Sequence, residues 1–472
     1  MKTSPIKKKK LFSEMRDTLK NILRRSIFLN YKTEIINHMQ KKIISYAVIF
    51  ALAFLPSIYL LMFSENALVF YNFSGAMRSI GKIFGLAGIV LFSITFLLNT
   101  RIKLVEEMFF GLDKTLNAHH IFGTTAFVFL LFHPLFLSAQ FLAFSIKSTL
   151  IFLIPFSNPA VTFGSLALLS MTIILIITFF AKWKYQNWKF SHQLLGVSFI
   201  LASIHVLLIP SDVSNDLFLK IYIILFLAIG LISYSYRTVF WRAFVKRHDY
   251  LVKKIRRLGE ITEITLEPSG KPLSFKPGQF VFVSFNKRKM KETHPFTISS
   301  SSSDKTLILS IKNLGDYTYE LKNMREGIKV KIEGPYGKFS FMNSSSKRYI
   351  FIAGGIGITP FLSMLRSIGD SPESFDFEEI ALFYSVKKKE EAVFLDELNK
   401  ISQKNKKIKV FLYESAKKGH LNSEYILENN KDFKKAEIFI CGPASMMNSL
   451  KEQLINDGVN KHKINLEEFS LL

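Results

Sequence analysis

The stretch Thr115–Ser138, TLNAHHIFGTTAFVFLLFHPLFLS, is apolar and long enough to cross a bilayer, yet it carries three histidines. Hydrocarbon makes an ionisable side chain expensive, so histidine at that depth points to function. His119 and His133 stand fourteen apart, close to four helical turns and a rise of about 21 Å. Their rings therefore share one helix face, one near each membrane surface. A second apolar stretch, Trp188–Pro210, carries His192 and His205. The local wording repeats, HHIFG against HQLLG, each with His four residues before Gly (His119–Gly123, His192–Gly196). Two such helices make two sites, and each suits a haem with one axial His from each helix. The other reading is a set of core histidines bonded to neighbours, and four in matched pairs argue against it. The second pair is thirteen apart, which turns an ideal helix away from a common face. Tightening toward 3₁₀ geometry recovers about 20° per residue, and so part of the register. His120 is also thirteen from His133, and the Gly match favours His119.

Composition agrees with a membrane protein. The chain has 472 residues, enough for two or three domains. It is 49% hydrophobic, with 47 Phe, and its mean hydropathy is positive. The net charge of +25 suggests nucleic acid at first sight. Many of the Lys and Arg instead flank apolar runs, as at the cytoplasmic face of a bilayer, so no nucleic-acid partner is expected. Cys441 is the single cysteine, which excludes an internal disulfide and a cysteine-cluster metal site. The first apolar run begins near Ile43 and lacks a cleavage signature, so no signal peptide is expected.

Residues 1–42 form a basic arm. Leu11, Met15, Leu19, Ile22, Leu23 and Ile27 fall at helical spacing behind the Lys7–Lys10 run. This reads either as an amphipathic helix on an anionic leaflet or as a plain topogenic charge cluster. Six spanning segments are predicted within 43–242, at about 43–63, 83–100, 116–138, 163–181, 188–209 and 219–240. The arm, the second and fourth connections and the chain after Phe240 are rich in Lys and Arg, while the alternate connections are poor. Both termini are therefore expected on the cytoplasmic side. His119 and His192 then lie near the inner face, and His133 and His205 near the outer. Arg78 and Lys82 fall near the outer end of the second helix, placed either to meet haem propionates or to anchor the interface.

Beyond Lys246 the pattern changes. The runs EITEITLEP, QFVFVSF, LILSIKN and KVKIEG predict an antiparallel β-barrel domain over 246–342. YIFIAGGIGITPFLSMLRSIG and later strand–helix alternations predict a doubly wound α/β domain over 346–472. SSSSSD at 299–304 is too short to be low-complexity.

GGIGITP (Gly354–Pro360) follows a strand and opens a helix, where backbone can approach a pyrophosphate. CGP (Cys441–Pro443) is a second such turn, and both should lie at carboxyl ends of strands. Cys441 is then either near the reactive end of a dinucleotide or a buried small hydrophobe. HPFTISSS (His294–Ser301) offers an aromatic, hydroxyls and an imidazole to a flavin, or is a polar loop. GDYT (Gly315–Thr318) can present backbone N–H groups to phosphates.

PGQF, HPFTISSS, GDYT, GPYG, GGIGITPFLSML and CGPASMM, in that order, resemble the ferredoxin-reductase-type flavoprotein module. Joined to six spanning helices with paired His, the chain resembles the ferric reductase/NADPH oxidase superfamily over about 43–472, with bacterial NADPH oxidase-like members most similar. The resemblance implies a multi-pass protein of a bacterial plasma membrane. It implies electron transfer from NAD(P)H through FAD and two b-type haems to an outer acceptor, oxygen giving superoxide or else ferric iron. It implies His119, His133, His192 and His205 as haem ligands. His294, Pro295, Phe296, Thr297 and Ser299 would be the flavin motif, with Thr297 and Ser299 near the ring and ribityl chain. Gly315 and Thr318 would be the flavin-phosphate turn. Gly354, Gly355, Gly357, Thr359 and Pro360 would be the nucleotide loop, with Cys441, Gly442 and Pro443 near the nicotinamide. Family members often end in an aromatic that covers the flavin. Here Phe469 is three residues short of the end and Leu471 stands where an aromatic might. Lys387 or Lys388 would read the 2′-phosphate of NADPH, with NADH the alternative.

Overall fold

The computed structural model describes residues 43–467 except 64–67, 110, 155–157, 184, 241–244, 288–289 and 431. The basic arm over 1–42 and the tail bearing Phe469 and Leu471 lie outside the described residues. The chain divides at Phe244/Val245 into two compact units.

The first unit contains six helices long and apolar enough to cross a membrane. They are α1 (Ile43–Phe63), α2 (Phe73–Leu98), α3 (Leu112–Ala139), α4 (Pro159–Phe180), α5 (Gln186–Leu208) and α6 (Leu217–Phe240). All but α1 begin earlier than hydropathy predicts, α2 by the most, and two of these starts carry a capping Asn. Asn72 caps α2 by accepting from Gly75 N–H at 2.7 Å, so the polar turns 73–82 are helical. Asn158 caps α4 by accepting from Val161 N–H at 2.9 Å, and Pro159 sits at its first position. Arg78 and Lys82 therefore belong to α2. Lys82 pairs with Asp212 at 2.7 Å, tying α2 to the short helix Asp212–Asn215 that follows α5.

α2 is the spine of this unit, with 56% of its central window buried against at most 33% for the others. Its stripe Gly81, Gly85, Gly88 faces α3. A Cβ there would come within 2.7 Å of Leu137, 2.6 Å of His133 and 2.8 Å of Leu130. Lipid supplies no hydrophobic drive between helices, so close approach through small residues holds such pairs. α5 is not regular. Leu194 N–H bonds to Ser191 O at 3.0 Å and Val197 N–H to Leu194 O at 2.9 Å, both across three residues. That tightened turn lies between His192 and His205.

The second unit holds two sheets. Strands β1 (Arg247–Leu258), β2 (Ile261–Pro268), β3 (Phe280–Phe285), β4 (His294–Thr297), β5 (Leu307–Lys312) and β6 (Lys329–Tyr336) form a curled antiparallel sheet in the order β4-β3-β6-β1-β2-β5. Strands β7 (Arg348–Gly354), β8 (Glu379–Val386), β9 (Ile408–Glu414), β10 (Glu437–Cys441) and β11 (Ile464–Glu467) form a parallel sheet, β11-β10-β7-β8-β9. Helices α7 (Thr359–Asp370) and α8 (Leu395–Lys404) cover one face, packing Phe361, Leu365 and Leu398 on Phe351 and Leu382. Helix α9 (Ala444–Asn456) covers the other, packing Met447, Leu450 and Leu454 on Ile350 and Ile352. Strands buried on both faces are near-continuous apolar runs, as YIFIA and IALFY show. The strand order reverses between β7 and β10, and ligands of such sheets bind outside that switch point.

Candidate functional site

In the first unit three histidines are fixed in the same way. His119 Nδ1 donates to Thr95 O at 2.9 Å and His133 Nδ1 to Gly81 O at 2.7 Å, both on α2. His205 Nδ1 donates to Ala160 O on α4 at 2.7 Å. A ring that donates from Nδ1 to a carbonyl carries its lone pair on Nε2, the tautomer a metal ligand needs. The outer pair is built twice over. Gly85, four residues after Gly81, lies against the His133 ring, and Gly164, four after Ala160, against the His205 ring. His119 and Thr95 repeat this register fourteen residues along each helix, which is why one face of α2 serves both rings of α3.

The inner site differs. The ring centroids of His119 and His192 are 6.1 Å apart. Two imidazoles bound to one metal, at about 2.0–2.1 Å per bond, have centroids about 6 Å apart. His192 Nδ1 is buried without a hydrogen-bond partner. Its ring stacks instead on Trp188 at 5.6 Å and 3°, and Trp188 Nε1 donates to Thr178 O at 3.0 Å. The spacing of thirteen explains this. The turn at Leu194 swings the ring toward His119 but not its Nδ1 onto a carbonyl of α4. His120 is exposed. The sequence match of the two glycines is not a match in space. Gly196 lies against the Tyr234 ring, where a Cβ would sit 2.0 Å away, whereas Gly123 meets only Thr95 at 3.7 Å.

In the second unit, β4 is an edge strand, which is where Pro295 costs no ladder bond. The His294 ring lies 3.8 Å from that of Tyr317, and its Nε2 lies 3.3 Å from Glu292 Oε2. Phe296 stacks on the same tyrosine at 6.3 Å. Burial, and then Glu292, push the Tyr317 phenol up, so it stays protonated and donates to Glu292 O at 3.3 Å. Thr297 is buried at the end of the strand. Ser299 lies two residues beyond β4. It is fully buried, and its hydroxyl is engaged by Ile308 O at 3.0 Å and Ser310 Oγ at 2.9 Å. In the GDYT turn, the Thr318 hydroxyl accepts from the N–H of Leu314 and Gly315, both at 2.9 Å. Those two donors are thus already satisfied.

The nucleotide turns meet backbone to backbone at the switch point. Gly355 adopts φ +55°, open to glycine at little cost. A Cβ on Gly357 would lie 2.2 Å from Cys441 O, and one on Gly442 3.0 Å from Gly354 Cα. Thr359 and Pro360 are buried in the first turn of α7, while Pro443 stays exposed. Cys441 is entirely buried, and burial, then Glu467, raise its thiol well above the usual range. It packs in one hydrophobic core with Phe351, Leu382 and Phe439. Lys387 is exposed beyond β8, with Lys388 and Lys389 beside it. A hydrogen bond from Lys417 holds the Glu414 carboxylate low at the neighbouring strand end, and Lys389 adds to this. Trp188 and Tyr317 were missed from sequence, although Trp188 stands four residues before a His and Tyr317 lies inside GDYT.

Three family descriptions match in succession. Residues 84–203 match the ferric reductase like transmembrane component, 250–340 an FAD-binding domain and 351–452 an oxidoreductase NAD-binding domain. The chain has the architecture of the ferric reductase/NADPH oxidase-like superfamily. The chain is also similar to curated relatives over part of its length. They include flavohemoprotein A of Dictyostelium discoideum, 28% identical over 47% of the chain and 59% of that protein. Another is the stachydrine N-demethylase reductase subunit of Rhizobium meliloti, 26% identical over 43% of the chain and 60% of that protein. The chain thus spans about 60% of the length of the curated relatives it matches. Among solved structures, the flavohemoglobin of Malassezia yamatoensis covers 84% of the chain and 96% of its own length at 18% identity and TM-score 0.43. The FAD/NAD-binding domain of a Vibrio cholerae nitric oxide dioxygenase covers 47% and 97% at 20% identity and TM-score 0.40.

Proposed function

We propose that this chain carries electrons across a membrane, from NAD(P)H on the cytoplasmic side through FAD and two stacked b-type haems to an acceptor outside. The observation that carries the reading is the repeated Nδ1-to-carbonyl bond at His119, His133 and His205. Each bond commits one ring nitrogen and frees the other, as haem ligation requires. Among the described residues no three His, Cys, Asp or Glu cluster as a metal site. Histidines paired singly across two helices suit the two axial positions of a haem, whereas a di-iron centre uses clustered HxxxH and HxxHH boxes that the sequence lacks. His119 and His192 would hold the inner haem, His133 and His205 the outer.

When bound, flavin and haem supply the conversion of a hydride to single electrons and their passage across the bilayer. The chain's own residues place these groups and set tautomers. The half-buried face of β4, with His294, Phe296 and Tyr317, suits an isoalloxazine. The turn Gly354–Pro360 suits a pyrophosphate, and Lys387 with Lys388 favours NADPH over NADH. The Lys and Arg gathered in the second and fourth connections support a cytoplasmic side for both termini.

Molecular oxygen, taking one electron to superoxide, is the acceptor we favour, since it needs no binding residues. Ferric iron is the second reading, supported by the family description that matches 84–203. The test is an anaerobic absorption spectrum of detergent-purified protein with FAD, before and after NADPH. Sharp reduced b-type bands that weaken in each of the His119→Ala and His205→Ala variants and vanish when the two are combined support the relay. Flavin bleaching without such bands would leave a reductase module and sink the haem reading.

A further inference from the structure

The serine run after the flavin strand is laid along one face of α7, the helix that opens from the nucleotide turn. Ser363, Arg366, Ser367 and Asp370 form that face. Ser363 Oγ donates to Ser300 O at 2.8 Å. Ser302 N–H donates to Ser367 Oγ at 2.9 Å, and Ser303 Oγ to Asp370 Oδ2 at 3.3 Å. Arg366 sits at the centre. Its Nη1 donates to Ser299 O at 2.8 Å. Its Nε and Nη2 hold both oxygens of Glu397 on α8, at 2.6 and 2.9 Å. Nη2 also reaches Glu263 Oε2 on β2 at 3.3 Å. Glu263 is 2% exposed, and its carboxylate also accepts from Ser310 Oγ at 3.4 Å. Ser310 in turn meets the Ser299 hydroxyl. One guanidinium thus ties the flavin strand's exit, the core of the β domain and two helices of the nucleotide domain.

We propose that Arg366 is a positioning residue for hydride transfer, holding the flavin strand at a fixed distance from the helix that opens the nucleotide turn. This rests on the reading that FAD and a nicotinamide nucleotide bind this unit. In the transfer, NAD(P)H loses one hydride and becomes NAD(P)⁺, and the flavin gains that hydride. The step tolerates little slack, since a misplacement of about 1 Å can cost about 10²-fold in rate. A planar fork with five donors grips both oxygens of Glu397 while reaching Ser299 O and Glu263, a fixed geometry that a lysine ammonium on a flexible stem does not reproduce. The geometry therefore assigns a task to the guanidinium shape and not to its charge alone.

The experiment uses full-length, FAD-loaded protein mixed anaerobically with NADPH in a stopped-flow spectrometer, following flavin bleaching. Arg366→Lys and Arg366→Met are compared with wild type, and NADPH is also used with deuterium at the transferred position. The expected result is near-normal FAD content and NADPH Kd, bleaching slowed by about 10–100-fold, a larger deuterium effect, and no rescue by Lys. Glu397→Gln removes half of the ion pair at a side chain 38% exposed. It should give an intermediate rate, and keeps the test alive if the Arg366 variants do not fold. Bleaching within about twofold of wild type per bound flavin, with no change in the deuterium effect, overturns the proposal and leaves Arg366 a structural tie. Wild-type protein that takes up no FAD, or whose flavin NADPH does not bleach, overturns the reading beneath it instead.

Discussion

A single ring nitrogen separates the four histidines of the membrane unit into three and one. Where Nδ1 is bonded to a carbonyl, ring and helix are locked together, and a neighbouring glycine leaves room for the ring. Gly85→Ala and Gly164→Ala would place a Cβ 2.6 and 2.8 Å from Nδ1 of His133 and His205. Each is expected to lose the outer haem and keep the inner, lowering haem per chain to about half, as a pyridine haemochrome assay would measure. Cys441 gives a second residue-level outcome. With its thiol buried and raised, the native protein at pH 8 should resist Ellman's reagent, while urea-unfolded protein reacts fully. Fast labelling of native protein would show instead that the thiol opens to the nucleotide site. Asp304 gives a third. Burial, then Asp370, raise its carboxyl above the usual range, so the folded state binds this proton more tightly than the unfolded. Ionisation at neutral pH therefore costs stability, and the cost disappears below the unfolded-state pKa. Asp304→Asn should raise Tm at pH 7 and lose that advantage as pH falls toward about 3. Sequence could name these residues but not their surroundings. A lone Cys reads either as a neighbour of a dinucleotide or as core, and only its surroundings in space separate the two.

Elements were legible where their signals were local. The six helices stand out by length and hydropathy, and the parallel strands by their apolar runs. The start of α2 was hidden because its capping Asn72 lies before turns, FSGAMRSIGK, that hydropathy counts as loop. The irregularity of α5 was partly legible. A spacing of thirteen demands a tightened turn, but nothing in the sequence says that Leu194 supplies it or that Trp188 then braces the ring. Trp188→Leu removes the stacking partner of an imidazole whose Nδ1 has no other support. The inner iron should then bind carbon monoxide in the reduced state, seen as a difference spectrum absent in wild type, with the outer haem unchanged. An identical spectrum in the variant would show that His192 holds without the indole.

At the scale of the whole molecule, domain order was readable because each turn motif is short and carries its own geometry. The ties between domains were not. Arg366 reaches partners 31, 67 and 103 residues away, and no local pattern announces them. Nucleotide choice also belongs to this scale, since the role proposed for Lys387 concerns a group that strand ends far apart in sequence would bind. Lys387→Ala should raise KM for NADPH by about tenfold and leave NADH unchanged, and equal effects on both would place the 2′-phosphate elsewhere. One feature of the membrane unit bears on how the protein is made. Both carbonyls that orient the rings of α3 lie on α2, the helix synthesised just before it. As the chain leaves the ribosome, this hairpin can set two imidazoles before α4 and α5 exist. Iron capture at either level then waits on the second hairpin, so the bilayer receives one half of each site ready-made and the other later.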